Sequence, residues 1–479
     1  MEPSMAREMT EAVGRIVPEL TLLGGGIAVL LYALFAPRRR QAGAAVLALV
    51  ALGVTSATTV PALGSGQTLT FFDTYAVDDV ASWAKLIVLG GTAAVIGLSV
   101  PWFRGDPRHG EYYALLLFSA LGAILLAGAS DLMELVLAAL LSSSTGYVLA
   151  AYHRRSRSAS EAAMKYFLLG ALTSAAMLIG VAYLFGLAGT TTYAGLLAGL
   201  PRSAPAMVAG AALVVTALAF KVGSVPAHAW VPDVAQGAPA PVAAFVTSVP
   251  KVGGLVAIAR LVLVLPEAGV GWRPLVAVLA ALTMTLGNLA ALWQEDIRRL
   301  LGWSAVSQTG YGLMAAVALP RSDLATPSLL FFLVAYVLAN VAAFGVVVEL
   351  RGRSDIGAYA GLARARPALA AALTAAFLSM IGIPPIAGFA AKLALFGAAI
   401  EAGYAWLAVL AVVNTVVSIF YYARVLGPMY FGELAAPVPV LARPAAIATY
   451  APAIAVIVAG IVAEPLIRSF VVARILPGG

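Results

Sequence analysis

The chain has 479 residues, of which 62% are hydrophobic and 11% charged, with a mean hydropathy of +0.96. Soluble domains carry roughly 25% charged residues, so a water-soluble fold is excluded. The absence of cysteine excludes disulfides, thiolate metal sites and cysteine-ligated iron–sulfur clusters within the chain. The formal charge of +7 is spread over short segments and forms no basic tail, which argues against nucleic acid as a partner.

Apolar runs of about 20 residues, each long enough to cross a hydrocarbon core as a helix, recur from Ile16 onward. They lack the short alternating pattern of barrel strands, so the fold class is an all-α polytopic membrane protein. About fourteen spans are expected, starting near Val17, Ala42, Val80, Tyr112, Leu132, Ala162, Ala206, Val242, Pro274, Leu300, Ser328, Ala368, Tyr404 and Ala445. The N-terminal MEPSMAREMTEAVGR mixes acids and bases, and no small-residue cleavage site follows the first run. The first span is therefore expected to be retained rather than removed as a signal peptide. Gly24–Gly26 and Gly90–Gly91 read as close-packing sites between helices, not phosphate loops, because no strand precedes them and no GK[ST] follows. Trp230, Trp293 and Trp303 near span ends fit an aromatic belt.

Arginines cluster after alternate spans: Arg38–Arg40, Arg104 and Arg108, Arg154, Arg155 and Arg157, Arg298 and Arg299, Arg351, Arg353, Arg364 and Arg366, and Arg424. The intervening connections, such as Asp73–Asp79 and Pro266–Trp272, carry fewer cations. The positive-inside rule makes the arginine-rich side cytoplasmic and puts both termini outside.

Helix breakers fall at the end of the seventh span, Gly223–Pro226, and in the middle of the twelfth, GIPPIAGFAAK from Gly382 to Lys392. Proline removes a donor and clashes with the preceding turn, so both helices are expected to be interrupted. Broken backbone at membrane depth is tolerated only where protein or a wet cavity surrounds it. Two interrupted spans five helices apart fit a transporter built from two related halves.

Only five lysines occur, Lys85, Lys165, Lys221, Lys251 and Lys392, and all lie within or at the ends of predicted spans. A composition rich in Ala, Gly and Arg explains the arginine-rich connections but not where lysine survives. In low dielectric a lysine can lose and regain a proton, whereas arginine stays a fixed charge. Lys221, Lys251 and Lys392 adjoin the helix breaks and are the candidates for proton transfer. Lys85 and Lys165 lie near span starts, where a proton-transfer role stands beside simple anchoring at the interface.

Among the acids, Glu134 is the one clearly inside a span, where it would partner a lysine or else sit wet near the outer end. Asp131 reads as interfacial and Asp233 as a structural acid. His228 follows the first break and titrates nearest neutral pH, so it relays protons or packs the connection.

Four motifs carry a family resemblance: HAWVPDVAQGAPAPV (His228–Val242) followed by PKVGGLVAIARL, EDIRRLLGWSAVSQTGY (Glu295–Tyr311), GIPPIAGFAAK, and EAAMKYFLLGALTSA (Glu161–Ala175). The chain resembles the antiporter-like membrane subunits of bacterial NADH-quinone oxidoreductase, respiratory complex I, from about Tyr112 to Arg424. The QGAP-x-PV form points to the subunit N type rather than to subunits L and M or the Mrp antiporter proteins. The resemblance implies about fourteen transmembrane helices, two inverted five-helix repeats, interrupted helices 7 and 12, and a mid-membrane row of polar residues. It places N-terminal helices in 1–110, repeats in 111–265 and 266–425, and a final helix in 426–479. By motif, Lys221, Lys251 and Lys392 fall on the family lysines of helices 7, 8 and 12. The family glutamate of helix 5 falls on Leu140, and Gln308 stands where related subunits often have histidine. Glu134 is six residues earlier, about 9 Å along a helix and about 240° around it.

These readings lead to the expectation of a proton-translocating subunit of the bacterial inner membrane, using Lys221, Lys251, Lys392, Glu134, His228 and Lys165. No cofactor is expected in this chain. The resemblance implies NADH, FMN, iron–sulfur clusters and quinone in partner subunits, with subunits of the M and K types as neighbours within membrane lipid. Two alternatives stand beside it, an Mrp-type cation/proton antiporter subunit and a non-pumping scaffold of the same complex.

Overall fold

A computed structural model describes residues 10–64, 66–106, 109–153, 155–201, 204–266, 271–433, 443–473 and 475. The expectations for Arg108, Arg154 and most of the Pro266–Trp272 connection lie outside the described residues.

The chain is a bundle of helices: α1 (Val17–Phe35), α2 (Gly43–Thr59), α3 (Asp79–Trp102), α4 (Gly110–Gly128), α5 (Leu132–Ala150), α6 (Arg157–Ala188), the short α7 (Tyr193–Gly199), α8 (Pro205–Val222), α9 (Trp230–Gly237) and α10 (Ala240–Val264). There follow α11 (Trp272–Leu292), α12 (Ile297–Ala318), α13 (Ala325–Glu349), the four-residue α14 (Leu362–Ala365), α15 (Pro367–Ile381), α16 (Ala387–Glu401), α17 (Ala405–Phe431), α18 (Arg443–Ile461) and α19 (Ala463–Val471). Among the described residues, 12 helices are long and apolar enough to cross a membrane.

Helix starts follow local chemistry. Asp78, Asp131, Ser156 and Asp296 cap α3, α5, α6 and α12 by accepting from first-turn amides, filling donors that a helix leaves unpaired. Proline stands in the first turn of α1, α8, α10 and α15, where its missing N–H is not needed.

The expected interruptions are present. The seventh predicted span is split into α8 and α9, and the twelfth into α15 and α16. Gly223 (φ +71°) and Gly382 (φ +94°) end the first halves in the left-handed region, which a side chain resists.

Bridges between connections mark the two ends of the bundle. Tyr75 pairs with Ala129 and Asp131 with Thr192 at one end, and Asp296 pairs with Asp355 at the other. The latter end carries the arginine-rich connections. The first end also holds a hairpin of β1 (Thr68–Thr70) and β2 (Tyr75–Val77), in antiparallel register Leu69 opposite Ala76, a small departure from the all-α expectation.

The core centres on α10, buried around its whole circumference, and α13. By contrast α6 turns Met164, Phe167, Leu168 and Leu172 outward, as lipid or a neighbouring subunit allows. Two sequence expectations change here. Trp230 is not a belt residue: it is buried, stacked 4.2 Å from Tyr166 with Nε1 donating to the Phe220 carbonyl at 3.1 Å. Gly25, Gly26 and Gly91 are close-packing sites, each leaving under 3 Å for a Cβ, whereas Gly24 and Gly90 face open space.

Candidate functional site

Lys221 lies in the last turn of α8, buried, and its Nζ donates a 3.1 Å hydrogen bond to Ser143 Oγ of α5. Its stem runs along α10, where a Cβ on Gly254 would stand 3.4 Å from Lys221 Cγ. Lys251, on α10, reaches the same break from the other side. Its Nζ donates to the Ala305 carbonyl at 2.6 Å and to Thr309 Oγ1 at 2.9 Å, both on α12. A Cβ on Gly223 would lie 3.5 Å from Lys251 Nζ, so the glycine that ends α8 also leaves the ammonium facing the gap. Thr309 in turn donates to the Val222 carbonyl at 2.8 Å, tying α12 to the broken end.

At the second break Lys392 of α16 donates to the carbonyls of Met380 and Ile381 at 2.8 and 3.0 Å. These are last-turn carbonyls of α15, left without helical donors and lying at the negative end of the helix dipole. The Lys392 ammonium also sits 3.9 Å from the centre of the Tyr311 ring, a cation–π contact. Gln308 donates to the same Met380 carbonyl at 2.9 Å. Ala305, Gln308 and Thr309 share one face of α12 by their i, i+3, i+4 spacing. That face therefore touches Lys251 at one end and the acceptor of Lys392 at the other. A void of about 10 Å³ bounded by Gln308, Tyr336, Ser379 and Lys392 lies beside the second break, room for about one water. The Tyr336 ring also flanks Lys251 Nζ at 5.9 Å.

Lys221, Lys251 and Lys392 are thus brought into one row, and their partners are hydroxyls, carbonyls and rings. None pairs with a carboxylate among the described residues. Glu134 is not brought to this row. It lies in the first turn of α5, beside its capping residue Asp131, while Ser143 is about 13 Å further along the axis. Leu140 faces outward and is 37% exposed, so neither residue faces Lys221. The cause is local packing: α4 meets α5 at Gly122, whose Cβ would fall 2.5 Å from the Ser142 amide, and this turns Ser142 and Ser143 inward. His228 lies in the 223–229 connection, half-buried, its ring 5.6 Å from that of Trp303.

Lys165 lies apart from the row. It is half-exposed and bridges Glu161 at 2.7 Å and Asp233 at 3.0 Å, with Arg299 on the same Asp233 at 2.5 Å. Lys85 does not snorkel. It is buried against Glu19 of α1 at 2.5 Å, and Tyr75 donates to the same carboxylate. Glu134 is therefore not the only carboxylate inside a span, and the Glu19–Lys85 pair escaped the sequence reading because its partners are 66 residues apart. Arg260, fully buried on α10 against Asp78 at 2.6 Å, was also missed. A lone arginine in the run AIARLVLV was the available signal. Among the described residues no group of three or more His, Cys, Asp or Glu could hold a metal ion.

A family profile described as "NADH:quinone oxidoreductase/Mrp antiporter, TM" matches residues 129–418. The NADH-quinone oxidoreductase subunit N of Mycobacterium sp. (strain JLS) is 46% identical over 416 residues, covering 86% of this chain and 88% of that protein. Subunit N 1 of Streptomyces griseus is 46% identical over 418 residues, covering 87% and 88%. Among solved structures, a chain of respiratory complex I from Thermus thermophilus with bound aureothin superposes with a TM-score of 0.81 at 31% identity, over 94% of this chain and 99% of that one. A chain of the Mrp complex from Dietzia sp. DQ12-45-1b has a TM-score of 0.85 at 21% identity, with 96% of each chain covered. The latter is a likeness of fold.

Proposed function

Because the chain belongs to the NADH:quinone oxidoreductase/Mrp antiporter membrane-subunit family, as a subunit N, we propose that it translocates protons through Lys221, Lys251 and Lys392 as a membrane-arm subunit of a complex I type oxidoreductase. Electron transfer, with NADH, FMN, iron–sulfur clusters and quinone, is the work of partner subunits. Subunits of the M and K types are the proposed neighbours in a bacterial inner membrane.

The observation that carries this reading is the row of three buried amines with neutral partners only. A buried lysine kept for structure has a counter-charge, as Lys85 has Glu19. An amine held instead by carbonyls and hydroxyls loses little when it gives up its proton, because those groups also accept hydrogen bonds from, or donate them to, a neutral amine. In this mechanism a proton enters from the arginine-rich end, taken as cytoplasmic by the positive-inside rule, and is held by Lys221 and Lys251 beside the first break. It then crosses the α12 face past Gln308 to Lys392 and leaves on the far side. A cation appearing in a neighbouring subunit repels the proton held by the nearest lysine and drives it on. His228 and Lys165 stand nearer the arginine-rich connections and are assigned to uptake. Glu134, near the opposite end, is assigned to release.

The finer architecture belongs to the same proposal: fourteen crossings, counting α12 and the α15–α16 pair, both termini outside, and inverted repeats over 111–265 and 266–425. Matched packing supports the repeat. Gly122 on α4 abuts the Ser142 amide and Gly287 on α11 abuts the Ser307 amide, each leaving 2.5 Å for a Cβ. Corresponding members of the two pairs are 165 residues apart, as are Ser143 and Gln308, while Lys221 and Lys392 are 171 apart.

The neutral partner of Lys221 favours a second reading, a subunit that positions its neighbours without pumping. Lys251→Met and Lys392→Met variants of the complex in proteoliposomes separate the two by protons moved per electron. Fewer protons at an unchanged electron-transfer rate is the expected result, and unchanged pumping would leave the scaffold. Cation/proton exchange by the complex without an electron donor would point instead to an Mrp-type activity.

A further inference from the structure

Lys251 stands on a weak stretch of a fully buried helix, the run Pro250–Gly254 inside α10. Pro250 has no N–H, so the Val246 carbonyl loses its helical donor, and the pyrrolidine ring crowds that carbonyl. Gly253 and Gly254 hold a helix less firmly than alanine does. Packing demands both: a Cβ would fall 2.0 Å from the Ala123 carbonyl oxygen of α4 at the first and 2.7 Å from Val222 of α8 at the second. The backbone under Lys251 therefore depends on support from outside its own helix. That support comes from α13. The Tyr336 hydroxyl donates to the Thr247 carbonyl at 2.5 Å, the same carbonyl that the Lys251 amide takes in a regular helix. One turn along α13, Asn340 Nδ2 donates to Thr247 Oγ1 at 3.0 Å and to the Ala244 carbonyl at 3.3 Å. Tyr336, Asn340, Thr247 and Ala244 are all buried, so no water competes for these bonds. The Tyr336 ring meanwhile flanks Lys251 Nζ at 5.9 Å and walls the void beside Lys392.

We infer that Tyr336 and Asn340 form a clamp on the Thr247 turn of α10 that positions Lys251 for proton transfer. The inference rests on the reading of Lys251 as a proton carrier. Neither residue hydrogen-bonds the amine, whose partners are the Ala305 carbonyl at 2.6 Å and Thr309 Oγ1 at 2.9 Å on α12. Both act through the α10 backbone and are positioning residues. The lysine reaches α12 from a turn that α13 holds from the other side, and hydrogen bonds of this kind survive only about half an ångström of displacement. A loosened turn at 247–251 therefore costs Lys251 its contacts before it costs the helix its fold. Tyrosine suits the task because a carbonyl has two lone pairs and accepts the hydroxyl without giving up the Lys251 amide. Phenylalanine at 336 would keep the ring beside the amine and the wall of the void, and would release only the carbonyl.

The test uses the intact complex in proteoliposomes and reads protons moved per electron. Tyr336→Phe is expected to fall to the level of Lys251→Met, with assembly and electron-transfer rate unchanged. A clamp that acts through the backbone is bypassed by repairing the backbone. Pro250→Ala returns a donor to the Val246 carbonyl, so the double variant Tyr336→Phe/Pro250→Ala is expected to recover pumping. A double variant no better than Tyr336→Phe alone overturns the clamp. Wild-type pumping by Tyr336→Phe beside a defective Lys251→Met also overturns it, assigns the hydroxyl to stability alone and leaves the lysine reading standing. Unchanged pumping by Lys251→Met overturns both. Should Tyr336→Phe fail to assemble, Asn340→Ala with and without Pro250→Ala carries the same comparison: loss with recovery is expected, and wild-type pumping by Asn340→Ala overturns the clamp.

Discussion

Lys85 and Glu19 close an ion pair of 2.5 Å between α3 and α1, with both side chains shielded from solvent and Tyr75 donating to the same carboxylate. It ties two of the N-terminal helices to each other, outside the row of lysines. Removing one partner of a buried pair strands the other charge and costs about 3–5 kcal/mol, whereas removing both is often close to neutral. Glu19→Gln and Lys85→Met are expected to lower the thermal midpoint of the solubilised protein. The double variant should recover most of the loss. Additive loss in the double variant would mean that the two side chains are not coupled.

Lysine identity matters at Lys251 and Lys392 in a way that charge does not. Lys251→Arg and Lys392→Arg keep a cation but one that does not release its proton at accessible pH. Both are expected to pump as poorly as the methionine variants. A pumping Lys392→Arg would show that the position needs only a fixed charge.

Gly388 sets the approach of α16 to α15. A Cβ there would lie 1.7 Å from the Ser379 carbonyl oxygen, so Gly388→Ala must push the two half-helices apart. Lys392 then loses its registry with the Met380 and Ile381 carbonyls. The expected result is lost pumping and a stability loss of about 1–3 kcal/mol, as for overpacking in a tight core. Gly24→Ala, at a glycine with nothing within 4 Å, is the comparison and should be silent.

His153 lies in the connection after α5, outside the spans, packed on Phe103 and Trp102. Burial holds its imidazole below the usual value, opposed by Asp106 and assisted by Arg298. The folded state therefore prefers the neutral ring. Stability is full above the unfolded value of about 6.5 and declines as pH falls below it, because the unfolded chain binds the proton first. The thermal midpoint is expected to fall below that pH, and His153→Phe should flatten this part of the profile. An identical profile in the variant would assign the decline to other groups.

Trp230 donates from Nε1 to the Phe220 carbonyl at the end of α8. Trp230→Phe keeps a ring against Tyr166 but removes one of the two donors to that carbonyl, which still accepts from the Gly223 amide, a loss of about 0.5–1.5 kcal/mol. A lowered midpoint with normal assembly is expected.

The three central lysines and the two breaks were legible because residue type and position carry the physics directly. A cation in an apolar run needs a reason, and Gly–Pro clusters inside a span cannot continue a helix. The face of α5 turned toward Lys221 was not legible. It depends on where Gly122 lets α4 touch Ser142 and where Gly170 admits Tyr147, contacts between helices whose separation in sequence leaves no local pattern. Lys85 was ambiguous for the same reason, since its counter-charge stands on another helix.

By itself the sequence determined that this is a helical membrane protein, where its two helices break, and which amines stand beside the breaks. All of these follow from composition, run length and backbone chemistry within a few residues. Only the tertiary structure decided what each amine meets: a hydroxyl for Lys221, the α12 face for Lys251, the open carbonyls of α15 for Lys392 and a carboxylate for Lys85. Partners of a buried charge are set by packing between distant helices, and that packing is cooperative rather than local.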